Sequence, residues 1–129
     1  MTDATWLRRA FNWCKDSPDP KARAGAVLRL TDDSYVIGTN SLPEGIAPRP
    51  HRIGNGLKGS YLIHAEAHAI AEAARSGRAT NGATLYIVSR TPDGNQAWGG
   101  LCCDCARLVI MAGIRRIVTP AFKPGPSKW

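Results

Sequence analysis

Apolar positions along the chain recur with two periods, and the changes from one to the other divide it into elements. Trp6, Ala10, Trp13 and Cys14 recur at helical spacing between Asp3 and Lys15. That spacing predicts an amphipathic helix with this stripe in the core, ended by Asp16-Ser17-Pro18-Asp19-Pro20. Ala24 to Leu30 and Tyr35 to Thr39 are apolar runs rich in strand formers, and Thr31-Asp32-Asp33-Ser34 between them predicts a hairpin. From Asn40 to Tyr61 the pattern lapses into Pro, Gly and basic side chains, a long loop of the kind that carries function.

Regular patterning returns at His64 to Ser76, an Ala-rich helix closed by Gly77, followed by Ala83 to Ser89 as a buried strand. Cys102 to Ala112 predicts another helix, closed by Gly113, and Ile114 to Val118 a final short strand. This order places helices on both faces of a mixed sheet. Thr119 to Trp129, with Pro120, Pro124 and Pro126, suits neither strand nor helix. The expected sheet therefore has four strands, or an edge that a partner subunit covers.

A chain of 129 residues is expected to form one domain, spanning positions 1–129, with a core of useful size. It has no basic start with a long apolar run, and no segment of membrane-spanning length, so a cytoplasmic location is expected. The formal net charge of +7, from 17 Lys and Arg against 10 Asp and Glu, favours an anionic partner such as a nucleotide phosphate. Nucleic acid is possible but not favoured, because the basic residues are scattered and form no tract interleaved with aromatics. Three of the four Cys are crowded between positions 102 and 105, which suits thiolate ligation better than a disulfide framework.

His64, Cys102 and Cys105 fit the donor count of a catalytic zinc, which takes three protein ligands and leaves a fourth position for water. Glu66, two residues beyond the His, is a carboxylate able to move that water's proton. Taken alone, a C-x-x-C pair is equally a redox pair or a structural half-site, and a His at a helix start is commonly structural. Cys103 lies between the pair separated by two and is expected to be a half-buried thiol packing beside the site; Cys14 is expected in the core. His68 falls on the helix face of His64, yet three ligands are already present, so it is expected to pack or hydrogen bond near the pocket.

Together, His64-Ala65-Glu66 and Cys102-Cys103-Asp104-Cys105 match the H-x-E and C-x-x-C signature of zinc nucleobase deaminases, in which the Glu acts as acid and base without binding metal. From roughly Asp19 to Val118 the chain resembles the cytidine and deoxycytidylate deaminase superfamily. The resemblance implies an α/β fold, a three-layer α/β/α sandwich with a mixed central sheet whose C-terminal strand is shortened or missing here. It also implies Zn2+ held by His64, Cys102 and Cys105, Glu66 as the catalytic residue, and a homo-oligomer. Leu101 stands where the family has Pro, and the segment from Thr91 to Gly100 is stretched.

Gly38-Thr39-Asn40-Ser41-Leu42-Pro43-Glu44-Gly45 resembles a loop of the deoxycytidylate deaminases, and Asp19 to Val27 resembles their entry into the first strand. Thr39 and Ser41 replace the residues that the resemblance associates with nucleotide contact and allostery. The expected reaction is deoxycytidylate to deoxyuridylate with release of ammonia. Asn40 is a candidate for sugar or phosphate contact or a turn residue, and the Ala65 amide for contact with the pyrimidine edge. Arg23, Arg49, Arg52 and Lys58 are candidate phosphate partners. Other readings are a deaminase of another nucleoside, nucleobase or single-stranded nucleic acid, and a noncatalytic zinc-stabilised binding domain.

Overall fold

Five short strands and three helices make up the computed structural model, which describes residues 1–18, 23–42, 45–46, 62–98 and 101–120. In chain order they are α1 (Asp3–Trp13), β1 (Arg23–Arg29), β2 (Tyr35–Thr39), α2 (Ala65–Arg75), β3 (Thr84–Arg90), β4 (Gln96–Trp98), α3 (Cys103–Met111) and β5 (Arg116–Val118). A 3-10 turn, Cys14–Asp16, continues α1. The expected long loop falls mostly outside the described residues; within them, Ser41 bridges to Ile63. No helix of the described residues is long and apolar enough to cross a membrane.

The sheet runs β2-β1-β3, with β1 antiparallel to both neighbours. The far edge of β3 is shared: β5 pairs parallel with Thr84 to Tyr86, and β4 pairs antiparallel with Val88 to Arg90. The sheet is thus mixed, as expected, but five-stranded where four were predicted. The extra strand comes from the stretched segment, where Gly94, at φ 85°, lets Thr91 to Asn95 turn the chain back along β3.

Alternation along the strands serves two cores. One face, Ala26, Leu28, Leu30, Val36, Leu85 and Ile87, packs against Ala65, Ala69 and Ala73 of α2 and Val109 of α3. The other, Val27, Tyr86 and Val88, meets Trp6 and Ala10 of α1. Each fully buried Leu or Val contributes about 1.5–3 kcal/mol. The result is the α/β/α sandwich the sequence implied.

Glycine sets how closely α2 lies on β2. A Cβ at Gly38 would overlap the Ala65 carbonyl and come 2.5 Å from the Ala69 amide nitrogen, both backbone atoms. Gly38→Ala is therefore expected to cost about 3 kcal/mol, near the top of the range for overpacking. Chemical denaturation of the variant checks this; an unchanged midpoint would mean that α2 can lift off the sheet freely.

On the opposite face, the Asp3 carboxylate receives the Tyr86 hydroxyl at 2.8 Å and pairs with Arg116, joining α1 to β3 and β5. Hydrogen bonding from Arg116, and then from Tyr86, lowers the Asp3 carboxyl from its ordinary 3.8 to about 2. A depressed carboxyl adds stability that is fully present above its ordinary value and lost as pH falls toward the folded one. Wild type is expected to exceed Asp3→Asn in thermal midpoint at pH 5, the gap closing between about pH 4 and 2. A gap independent of pH would remove charge from the account.

Candidate metal centre

Each segment with the expected chemistry begins a helix. His64 is the N-cap of α2 and Cys102 the N-cap of α3, both with extended backbone. The Cys102 sulfur accepts from the Cys105 amide at 3.3 Å, so one side chain both caps the helix and faces the site. The helices pack side by side, bringing residues about forty positions apart together. Unpaired N–H groups and aligned dipoles at both starts favour thiolate and carboxylate charge there.

His64 Nδ1 lies 3.1 Å from Cys105 Sγ and 3.4 Å from Cys102 Sγ. The three donor atoms lie within 4.8 Å of one another. Standard zinc bond lengths in a tetrahedron separate an imidazole nitrogen and a thiolate sulfur by roughly 3.5 Å, so this donor set fits the metal. Nδ1 as the facing nitrogen is a detail the sequence did not supply.

Glu66 is buried in the first turn of α2. Burial raises the Cys105 thiol far above its ordinary range, and the adjacent Glu66 carboxylate, then Cys102, push the same way. Two sulfurs beside a buried carboxylate can carry thiolate charge there only with a cation between them, which is what a divalent metal would bring.

The remaining sequence candidates divide. Ala65 is buried at the first position of α2. Asn40 ends β2, and its carboxamide oxygen accepts from the Ala24 amide at 2.7 Å, tying β2 to β1 beyond the last ladder pair. Arg23 begins β1 opposite Arg90. Arg49, Arg52 and Lys58 lie outside the described residues. His68 takes the Thr39 amide on Nδ1 at 3.1 Å, which leaves its Nε2 hydrogen facing Glu72 at 3.7 Å. It guards the outer edge of β2 and is not in the metal-donor group.

Three side chains depart from expectation or escaped it. Cys103 is exposed, not half-buried against the site, because the first turn of α3 points it outward with Asp104 while Cys102 and Cys105 face the site. Trp13, expected in the core stripe, is 38% exposed, while Cys14 is buried as expected. Ser17 was read only as part of a helix stop; it is buried, and its hydroxyl donates to the Asn40 carbonyl at 2.8 Å. No local signal marks that partner.

With this geometry, comparison with known proteins is decisive at the level of family. The chain belongs to the cytidine and deoxycytidylate deaminase zinc-binding region family, whose model matches residues 1–121. Zinc is the cofactor of that region, and His64, Cys102 and Cys105 form a group able to hold a metal ion.

Among relatives, the deoxycytidylate deaminase of Mus musculus is 31% identical over 116 residues, and that of Homo sapiens 30% over 116. Each alignment covers 84% of this chain and 58% of the relative, so the chain spans little more than half the length of these curated proteins. Among solved structures, a dCMP deaminase from the cyanophage S-TIM5 in complex with dCMP and dUMP superposes with a TM-score of 0.67 at 18% identity, covering 88% of this chain and 76% of that one. Cytidine deaminase from Burkholderia pseudomallei gives 0.66 at 20% identity, covering 92% and 84%. At such identities these two establish the shared fold.

Proposed function

We propose that this chain is a zinc-dependent hydrolase that removes the exocyclic amine of a cytosine nucleotide, converting deoxycytidylate to deoxyuridylate and ammonia. The observation that carries the reading is the meeting of His64 Nδ1, Cys102 Sγ and Cys105 Sγ with the buried Glu66 carboxylate beside them. Relatives that are deoxycytidylate deaminases at about 30% identity support the choice of nucleotide.

His64, Cys102 and Cys105 hold the metal. Bound there, zinc supplies Lewis-acid activation of water at neutral pH. Glu66 would take one proton from the attacking water and give it to the ring nitrogen, then carry the second, from the hydroxyl formed on the attacked carbon, to the departing amine. Water adds across the ring C=N bond, and the exocyclic C–N bond then breaks, so the base ends with a carbonyl and the amine leaves as ammonia. The Ala65 amide, one of the N–H groups at the helix start with no intrahelical partner, contacts the pyrimidine edge. Asn40, whose carboxamide oxygen accepts from the Ala24 amide, contacts the sugar or phosphate.

Arg23, Arg49, Arg52 and Lys58 supply phosphate contacts as a set. The unit is a single deaminase domain over positions 1–129, acts in the cytoplasm and assembles with copies of itself. Zinc-loaded protein assayed against deoxycytidylate, deoxycytidine, cytidylate and cytosine tests the substrate: deoxycytidylate should turn over at least about a hundredfold faster than deoxycytidine, given what phosphate hydrogen bonds to arginine contribute. Equal rates with and without phosphate would refute the nucleotide assignment and leave a nucleoside deaminase.

A further inference from the structure

A second pocket lies away from the metal centre, on the α1 face of the sheet. It is a cavity of about 320 Å³ lined by Arg9, Asn12, Trp13, Lys15 and Tyr35. That is the lower end of the size range of small-molecule sites. Trp13 and Tyr35, 38% and 39% exposed, leave large aromatic surfaces facing solvent. The Arg9 guanidinium stands 5.5 Å from the Tyr35 ring and 4.9 Å from the Trp6 ring, so it is held by aromatic faces and not by an acid. Among the described residues no carboxylate lines this cavity, and neither Arg9 nor Lys15 has an acidic partner.

An adjoining cavity of about 470 Å³ shares Trp13 and Tyr35 and is lined by Asp16 and Glu72 together with Arg78 and His68. The charge there is mixed, whereas the charged side chains lining the smaller cavity are Arg9 and Lys15, so an anion is drawn to them, with the two shared rings as a stacking surface between. Two cations without an acidic partner among the described residues, an amide able to donate and accept, and two exposed rings match a phosphate joined to a flat base. Ala65, at the start of the helix that carries Glu66, lies over Gly38 at the far end of β2 and on the opposite face. The pocket is thus separate from the deaminase site, and its assignment does not rest on the proposed reaction.

We propose that Arg9, Asn12, Trp13, Lys15 and Tyr35 form a second binding site for a nucleotide unit, its phosphate held by Arg9 and Lys15 and its base stacked against Trp13 and Tyr35. A free mononucleotide and a single-stranded nucleic acid both present this unit.

The experiment follows the Trp13 indole N–H signal by NMR in the full chain, assigned by its loss in Trp13→Leu. The probes are adenosine 5′-monophosphate, adenosine, inorganic phosphate and a ten-nucleotide single-stranded oligodeoxyadenylate. The mononucleotide should shift the Trp13 signal and bind at least about tenfold more tightly than adenosine or phosphate, since it alone engages rings and cations together. Lys15→Glu, at an exposed position, should weaken it by about tenfold with the thermal midpoint unchanged. An oligonucleotide more than about tenfold tighter would name nucleic acid as the source, and comparable affinities a free nucleotide.

Phosphate binding as well as the mononucleotide, or an affinity untouched by Lys15→Glu, would overturn the site. So would a Trp13 signal that answers only to protein concentration, which would make the rings a contact between copies of this chain.

Discussion

Glu66→Gln is expected to retain zinc and the fold while losing about 10²–10⁴-fold in turnover, the usual contribution of a positioned acid–base group. Glutamine keeps the shape of a side chain that is 4% exposed in the first turn of α2, but it cannot accept or deliver the proton. The substitution also removes the negative charge that pushes the Cys105 thiol upward, so metal binding should hold or improve. Rate and zinc content must be measured on the same preparation, because loss of both would make Glu66 a metal-site residue. Undiminished turnover would exclude it from catalysis.

The second large effect separates neighbouring cysteines. Cys102→Ala is expected to drop zinc from about one per chain to nearly none, because a site with three protein ligands that loses one keeps little affinity. It also removes the sulfur that caps α3 through the Cys105 amide, at a further cost of about 1 kcal/mol. The thermal midpoint should fall in the presence of metal as well as in its absence. Cys103→Ala, at an exposed position outside the donor group, should leave zinc content and midpoint unchanged. Elemental analysis of the two variants decides; the reverse pattern would reassign the ligand pair.

The architecture was legible where a pattern repeated often enough to be unambiguous. The β1–β2 hairpin, the Ala-rich α2 and the apolar β3 each carry several turns or alternations, and their predicted bounds fall within a residue or two of the observed ones. The three residues of β4 are too few to show alternation, and Asp93-Gly94 was read as lengthening a loop when it was turning a hairpin. Trp13 misled because seven residues after Trp6 it sits at the flank of a stripe whose centre is Trp6, Ala10 and Cys14, just where the α-helix ends.

The grouping of His64, Cys102 and Cys105 was legible from residue type and spacing together with the family resemblance. Few arrangements other than a metal site bring together one His and two Cys at these spacings, and the fold supplied only the closing of forty residues between the helix starts. The roles of Asn40, Ser17 and His68 were not legible. Each makes a hydrogen bond to a segment distant in sequence: Asn40 to Ala24, Ser17 to the Asn40 carbonyl, and His68 to Thr39. Local propensity carries no trace of such partners, and a polar side chain read alone is as suited to a ligand as to a neighbouring strand.

The most direct test is ammonia release from deoxycytidylate by the zinc-loaded wild-type chain, with the product followed in parallel. Ammonia and deoxyuridylate appearing in equal amounts, and ceasing when the metal is chelated, is the result the account predicts. A chain that is folded and zinc-loaded yet releases no ammonia from deoxycytidylate would contradict it.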